Sequence, residues 1–386
     1  MKLFPLILKN VFRKKTRSLL TIASILLPLF VICIMGTMLK TLDADPSHGH
    51  GMYRLIVRHK VSLSNWLPEA YESKLRQMPG VVEVVKSQWF GGKYVDYSPR
   101  NIFSRFAIGN PEALLKVFDE VKIAEGSEAE WLADRNSVLV GAHLMKKYGW
   151  KLGQKVPLQG DIFPVHIEPT IRAVYAGPDE TGLYMHYKML EEALPSAKGW
   201  VGWYWIKADS PQAVERLPKQ IDALFENSDR PTRSETEKAF QNSFVSMLGN
   251  VRAFLTFLCI LIVGVILLIA ANTMAMSARE RVTEIAVFRT LGFGKPTILG
   301  MIVAEAVVLS LFGGAFGVAL YVAIFPGFRQ MVLNSPMGFY AAGMKLFPGV
   351  VAIAFGVTVL VGILAGLVPA VRSAQRSIPD GLRQVG

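Results

Sequence analysis

The sequence predicts a membrane protein with four transmembrane α-helices and a large α/β extracytoplasmic domain between the first and second spans. Three observations predict it. Four apolar runs, residues 19–39, 254–275, 298–325 and 346–371, are each long enough for a helix rising about 1.5 Å per residue to cross a hydrocarbon core about 30 Å thick. They are arranged as one, then a long polar-rich stretch, then three. Lysine and arginine flank them unevenly, which fixes an orientation.

Lys2, Lys9, Arg13, Lys14, Lys15 and Arg17 precede the first run, and Arg279, Arg281, Arg289 and Lys295 lie between the second and third. Arg372, Arg376 and Arg383 follow the fourth, whereas the connection 326–345 holds only Arg329 and Lys345. By the positive-inside rule both termini and the connection between the second and third runs are cytoplasmic. The stretch from residue 40 to about 250 and the 326–345 loop then lie outside. The net charge of +12 reads as topology and as attraction to anionic membrane lipids. Nucleic acid is excluded as a partner, because no basic stretch interleaved with aromatics occurs on a soluble element. The first run exceeds the apolar length of a signal peptide and lacks a small-x-small site before Lys40, so it reads as an anchor. Cys33 and Cys259 both fall inside spans, leaving the domain without thiols to form a disulfide.

The stretch 52–230 reads as mixed α/β. Strands are expected at 52–59, 81–85, 103–108, 137–140, 155–158, 166–175 and 201–207, and helices at 68–77, 111–121 and 211–225, the last opened by Pro211. The alternation suggests split β-α-β units with helices on one sheet face, and strand order is not legible. All six histidines lie between the first and second runs, and His48 and His50 sit in a turn-rich stretch that reads as a link rather than a metal site. Trp200, Trp203, Tyr204 and Trp205 form an aromatic group expected to pack a core or an interface. Ser234 to Glu237 matches a capping box, and Phe240, Phe244, Met247, Leu248 and Val251 recur at helical spacing. One helix is therefore expected from near Glu235 into the second span, as a rigid stem; the alternative is a hinge near Gly249.

After the second run, Val282, Ile285 and Ala286 fall on one side of a short helix and Arg279, Glu280, Thr283 and Glu284 on the other, with Gly292 and Pro296 as the stop. Alternating Arg and Glu suits a protein partner better than lipid. Within the spans, Glu305 needs a partner, since an unpaired charge there costs about 2.5–3.5 kcal/mol. An arginine of the N-terminal segment is the expected one. Gly313 with Gly317, and Gly362 with Gly366, place small residues one turn apart for close helix approach in a tight bundle and a dimer interface.

The run Asn272, Ser277, Glu280, Arg281, Glu284, Ile285, Arg289, Gly292 resembles the cytoplasmic loop of the MacB/FtsX/LolE family of ABC-transporter permeases. Leu8, Asn10, Arg13, Arg17 and Thr21 are similar to the family's opening amphipathic helix. Glu305, Leu309, Ser310, Gly313 and Gly317 are similar to its third span, and Gly366, Pro369, Ala370, Arg372 and Pro379 to its C-terminal end. Val138 to Gly141 and Tyr148 to Val156 resemble its MacB-like periplasmic core domain.

The resemblance implies a division into a cytoplasmic N-terminal helix 1–17, a span 18–40, the α/β domain 41–233, a stem with the second span 234–276 and a coupling-helix loop 277–297. A span 298–325, an external loop 326–345, a span 346–371 and a cytoplasmic tail 372–386 follow. It implies a permease subunit, not itself an enzyme. Arg279, Glu280, Arg281, Glu284 and Arg289 would contact a separate ABC ATPase subunit that binds ATP and Mg, because this chain holds no phosphate-cradle motif and no cofactor. It further implies a homodimer or a heterodimer with a related permease in the bacterial inner membrane, with a periplasmic adaptor and outer-membrane channel as further partners. The output would be mechanotransmission that drives export or extraction of a drug, peptide, lipid or lipoprotein. The alternative output is that of an FtsX-like regulator which activates a cell-wall hydrolase without transport.

Overall fold

The computed structural model describes residues 15–43, 50–91, 93–96, 98, 101, 103–160, 163–247, 250–335, 341 and 343–375. In chain order the first elements are α1 (Lys15–Asp43), β1 (Arg54–His59), β2 (Leu67–Pro68), α2 (Tyr71–Arg76), β3 (Val81–Trp89), β4 (Ser104–Ile108) and α3 (Pro111–Val117). Then come β5 (Lys122–Gly126), α4 (Glu128–Ala133), β6 (Ser137–Gly141), α5 (Ala142–Tyr148), β7 (Leu158–Gln159), β8 (His166–Ile167), β9 (Thr170–Ala176), β10 (Gly182–His186) and α6 (Tyr187–Ala193). The rest are β11 (Trp200–Val201), β12 (Trp203–Ala208), α7 (Pro211–Phe225), β13 (Thr232–Thr236), α8 (Glu237–Met247), α9 (Val251–Glu280), α10 (Val282–Thr290), α11 (Lys295–Leu333) and α12 (Pro348–Gln375). The chain forms two compact units. The residues 1–14 expected as an opening helix, His48 of the link, and the tail from residue 376 lie outside the described residues.

The intervening unit, Thr41–Gly249 with Phe328–Met344, is built on a nine-stranded mixed sheet in the order β13-β1-β12-β3-β4-β10-β6-β9-β5. Most neighbours are antiparallel, and β4 with β10 and β6 with β9 are parallel. Strand β6 shows how the sheet is filled. Val138 and Val140 join one core while Leu139 joins another, as alternation across a strand requires.

Helices therefore cover both faces, not the single face expected. Leu75 of α2, Leu190 of α6 and Leu217, Ile221 and Phe225 of α7 bury against one, and Leu114 and Val117 of α3 with Trp131 of α4 against the other. Helix α7 forms as its sequence dictates: the Ser210 hydroxyl accepts from Ala213 N, Pro211 fills the first turn, and Ala213, Leu217, Ile221 and Phe225 line one buried stripe.

The stem departs from expectation at both ends. Residues 232–236 are a strand, because Asp222 accepts from Thr232 and Ser234 and holds the segment beside β1. Thr236 caps the helix that follows, its hydroxyl accepting from Ala239 N. Helix α8 is described to Met247, and Asn250, at φ −81° and ψ 60°, lies off the helical path and caps α9, its side chain accepting from Ala253 N. The stem and second span are two helices.

The other unit holds four helices, α1, α9, α11 and α12, long and apolar enough to cross a membrane. Ile25 and Ile32 of α1 meet Ile266 and Ala270 of α9 and Val361 and Ala365 of α12 in one core, while Ile22, Met274, Ala306 and Leu309 form another. A Cβ on Gly313 would lie 2.8 Å from Ile25 Cβ, and one on Gly317 2.9 Å from Leu26 O. A Cβ on Gly362 would lie 2.7 Å from Val307 Cα, and one on Gly366 2.9 Å from Ala306 Cβ. Both glycine pairs thus serve packing inside one chain, α11 on α1 and α12 on α11.

Helix α11 continues past Pro326 to Leu333, so the loop expected from 326 begins later; a proline needs only its own φ and forfeits one backbone bond. Residues Phe328–Met344 group with the intervening unit, where Lys147 donates to Asn334 O and Arg329 to Met344 O.

Candidate functional site

The connection between α9 and α11 carries the most densely organised chemistry of the helical unit. Helix α9 runs on to Glu280, which places Arg279 and Glu280 at its exposed end rather than on the following helix. Arg281 interrupts the helical path at φ −108° and ψ 15°, and α10 starts beyond it. Val282 and Ala286 are buried and Ile285 is half-buried, as the spacing predicts.

The end of α10 is set by backbone chemistry. Gly292, at φ 90°, lets Phe293 N donate to Phe288 O and Gly292 N donate to Arg289 O, and the rings of Phe288 and Phe293 meet edge to face at 5.6 Å. This is a Schellman stop with its apolar contact, and a residue with a Cβ would resist the left-handed turn.

Arg281 Nη1 donates to Glu305 Oε2 at 2.7 Å, with the two side chains 16% and 10% exposed. The pair bridges the start of α10 to the third span and lies beside a cleft lined by Met274, Ser277, Ile285, Phe288, Ile298 and Met301. It answers the charge problem posed by Glu305. A carboxylate in a span is tolerated when a guanidinium reaches it with good geometry. The sequence pointed to an arginine of the N-terminal segment, whose residues 1–14 lie outside the described residues; among the described residues Arg281, from the connection itself, reaches Glu305.

The five charged residues expected to contact a partner therefore divide. Arg279 and Glu280 are exposed, Glu284 and Arg289 are half-buried, and Arg281 faces Glu305. Arg281 braces the segment instead of presenting charge outward. Val287 on the outward side of α10 and Leu291 just past its end are exposed at 44% and 70%, so this tip also carries apolar surface. A protein surface with an apolar centre and a charged flank would fit this tip.

Elsewhere the aromatic group packs as expected. Tyr204 donates to Pro68 O at 2.6 Å, Trp203 and Trp205 lie with Ile56 and Phe240, and Arg230 stands 5.1 Å over Trp200. Among the described residues no three His, Cys, Asp or Glu side chains gather as a metal site would require.

Comparison with known proteins bears on this architecture. A family model for the MacB-like periplasmic core domain matches residues 18–224, and one for the FtsX-like permease C-terminal region matches residues 255–378. An uncharacterized ABC transporter permease of Methanocaldococcus jannaschii is 22% identical over 97% of this chain and 96% of its own length. The pyoverdine export ATP-binding/permease protein PvdT of Pseudomonas putida is 29% identical over 43% of this chain and 24% of its own. The macrolide export ATP-binding/permease protein MacB of Neisseria gonorrhoeae is 34% identical over 29% of this chain and 16% of its own. The alignments thus span nearly all of the first relative and a quarter or less of the two exporters. The extracellular domain of the ABC-type transporter YknZ from Gram-positive bacteria aligns with 47% of this chain and 98% of that structure at 14% identity and a TM-score of 0.36.

Proposed function

Since the chain belongs to the MacB/FtsX-type family of ABC-transporter permeases, we propose that it is the membrane subunit through which a separate ATPase does mechanical work on the intervening domain. On this reading the termini and α10 are cytoplasmic in a bacterial inner membrane, the nine-stranded domain lies outside, and two permease chains pair. The ATPase, with its ATP and Mg, seats on the tip formed by Arg279, Glu280, Val287 and Leu291. Closure of the ATPase displaces α10, and Arg281 on Glu305 carries that displacement into the third span. The output is export or extraction of a hydrophobic substrate handled at the domain.

The observation that carries the reading is the construction of the α10 segment. It is stopped sharply by Gly292, braced internally by an ion pair, and left exposed at one mixed apolar and charged tip. A loop that only joined two spans would need neither the brace nor the exposed leucine.

The test is the full chain co-expressed with its partner ATPase. Changing Glu280 and Glu284 together to Lys, or Leu291 alone to Asp, should abolish permease-stimulated ATP hydrolysis while the spans stay folded. Stimulation that survives both variants would remove α10 from the coupling role. Co-purification then separates the outputs: an adaptor or outer-membrane channel accompanies an exporter, and a peptidoglycan hydrolase accompanies a regulator.

A further inference from the structure

Arg54 is the first residue of β1, and its side chain is 1% exposed. Its Nε donates to Glu237 Oε2 at 2.6 Å, its two terminal nitrogens reach the two oxygens of Glu120 at 2.7 Å each, and Nη1 donates to Val117 O at 3.3 Å. The ring of Phe118 lies 4.5 Å from the guanidinium carbon. These partners come from separate parts of the domain: Val117, Phe118 and Glu120 from the end of α3 and the turn after it, and Glu237 from the first residue of α8. A second arginine of the same strand repeats the tie one element earlier, with Arg58 Nε donating to Glu235 Oε1 of β13 at 2.8 Å.

Two carboxylates on one buried guanidinium are a poor way to gain stability, because desolvating the ions offsets most of their attraction and an apolar cluster would serve as well. What a guanidinium fork supplies is direction: it accepts partners in one plane and at fixed angles. The apolar hold on α8 has no such direction. Phe240 lies among Ile56, Trp203 and Trp205, a non-directional contact along which a helix can slide or roll.

We infer that Arg54 is a positioning residue for force transmission. It locks the first turn of α8 to β1 and to the end of α3, so that a displacement arriving along α8 moves the sheet as one body. This rests on the mechanical reading proposed above.

The experiment uses the full chain with its ATPase in lipid nanodiscs, and the variants Glu237→Gln and Arg54→Lys. The first keeps the side-chain volume and an acceptor but removes a charge; the second keeps the charge but removes the fork. Spin labels at positions 219 on α7 and 238 on α8 read the play of α8 against the domain, and labels at 219 and 349 read nucleotide-driven motion. The clamp predicts that both variants broaden the 219–238 distance distribution, lose the nucleotide-driven shift between 219 and 349, and keep ATP hydrolysis within about twofold of the parent. A distribution that stays narrow overturns the inference, and so does a broadened one that leaves the 219–349 shift intact or is accompanied by loss of hydrolysis. Should Arg54→Lys fail to accumulate in the membrane, Glu237→Gln alone carries the test. Absence of the 219–349 shift in the parent refutes the mechanical reading instead, and the 219–238 pair still reads the clamp.

Discussion

Two glycines of α12 predict opposite responses to the same substitution. At Gly362 an added Cβ would stand 2.7 Å from Val307 Cα and 3.2 Å from Ser310 Oγ. Carbon atoms rest about 3.5–4.0 Å apart, so α12 must retreat from α11 by about 1 Å, and overpacking of this kind costs about 1–3 kcal/mol. At Gly356 nothing among the described residues lies within 4 Å of the corresponding position. Alanine there only restricts the backbone, and stability should hold or rise by up to about 1 kcal/mol. All seven tryptophans lie in the intervening domain, so their emission is blind to the bundle. Cys33, buried in α1 at 0% exposure, is the suitable reporter. With Cys259 replaced by Ser, the rate at which a maleimide reaches Cys33 in micelles follows the population of opened bundle. Gly362→Ala should raise that rate about 5- to 150-fold, the equivalent of the energy above, and Gly356→Ala should leave or lower it. Equal responses at the two sites would refute the packing assignment. So would a Gly362 effect that vanishes when chains are diluted to one per micelle, since the glycine would then serve a contact between chains.

Further outcomes follow from the buried charges and the sheet. Arg281→Leu and Glu305→Leu should each cost about 3–5 kcal/mol, and the double variant should recover much of it, which thermal unfolding of the four variants measures as a coupling energy. Burial holds the imidazole of His186 below its ordinary range, against the pull of the Trp131 carbonyl that accepts from its Nε2. The unfolded chain then binds more protons at this site than the folded one as pH falls below about 6.5, so the contribution of His186 to the stability of the intervening domain is full above that value and lost as pH falls through it. Replacing His186 with Phe should flatten the melting profile of the domain over that window. Gly141→Ala would set a Cβ 2.0 Å from Glu180 O, where the end of β6 meets the turn before β10, and should cost about 3 kcal/mol or more, read by tryptophan emission.

The spans were legible because an apolar run of bilayer length is written in consecutive residues and survives any tertiary context. Helix α7 was legible for a related reason, since its cap, its proline and its buried stripe all lie within the helix and the residue before it. What escaped depends on partners far along the chain. Strand β5 is mostly exposed, so its sequence carries no alternation, and only its pairing with β9 makes it a strand. Residues Ser234 to Glu237 satisfy a capping-box pattern locally, yet Asp222 and β1 draw residues 232–236 into the sheet and shift the cap to Thr236. The short helix α4 could have been found, since Ser127 precedes Glu130 by three residues and its hydroxyl accepts from Glu130 N.

The same distinction explains which functional residues could be anticipated. Glu305 announced itself by being charged in an apolar run, and its need for a partner followed from solvation alone. That Arg281 would be a partner did not, because it lies 24 residues away among other arginines of similar local character. Arg54 is harder still, with Glu237 at a separation of 183 residues. Yet both pairs stand where one element gives way to another, Arg281 where α9 yields to α10 and Glu237 where β13 yields to α8. Apolar contacts suffice to decide which surfaces meet, and they leave the angle at such a junction free to drift. A directional ion pair at the junction removes that freedom, which is the property a chain needs if motion entering at one end is to leave undiminished at the other.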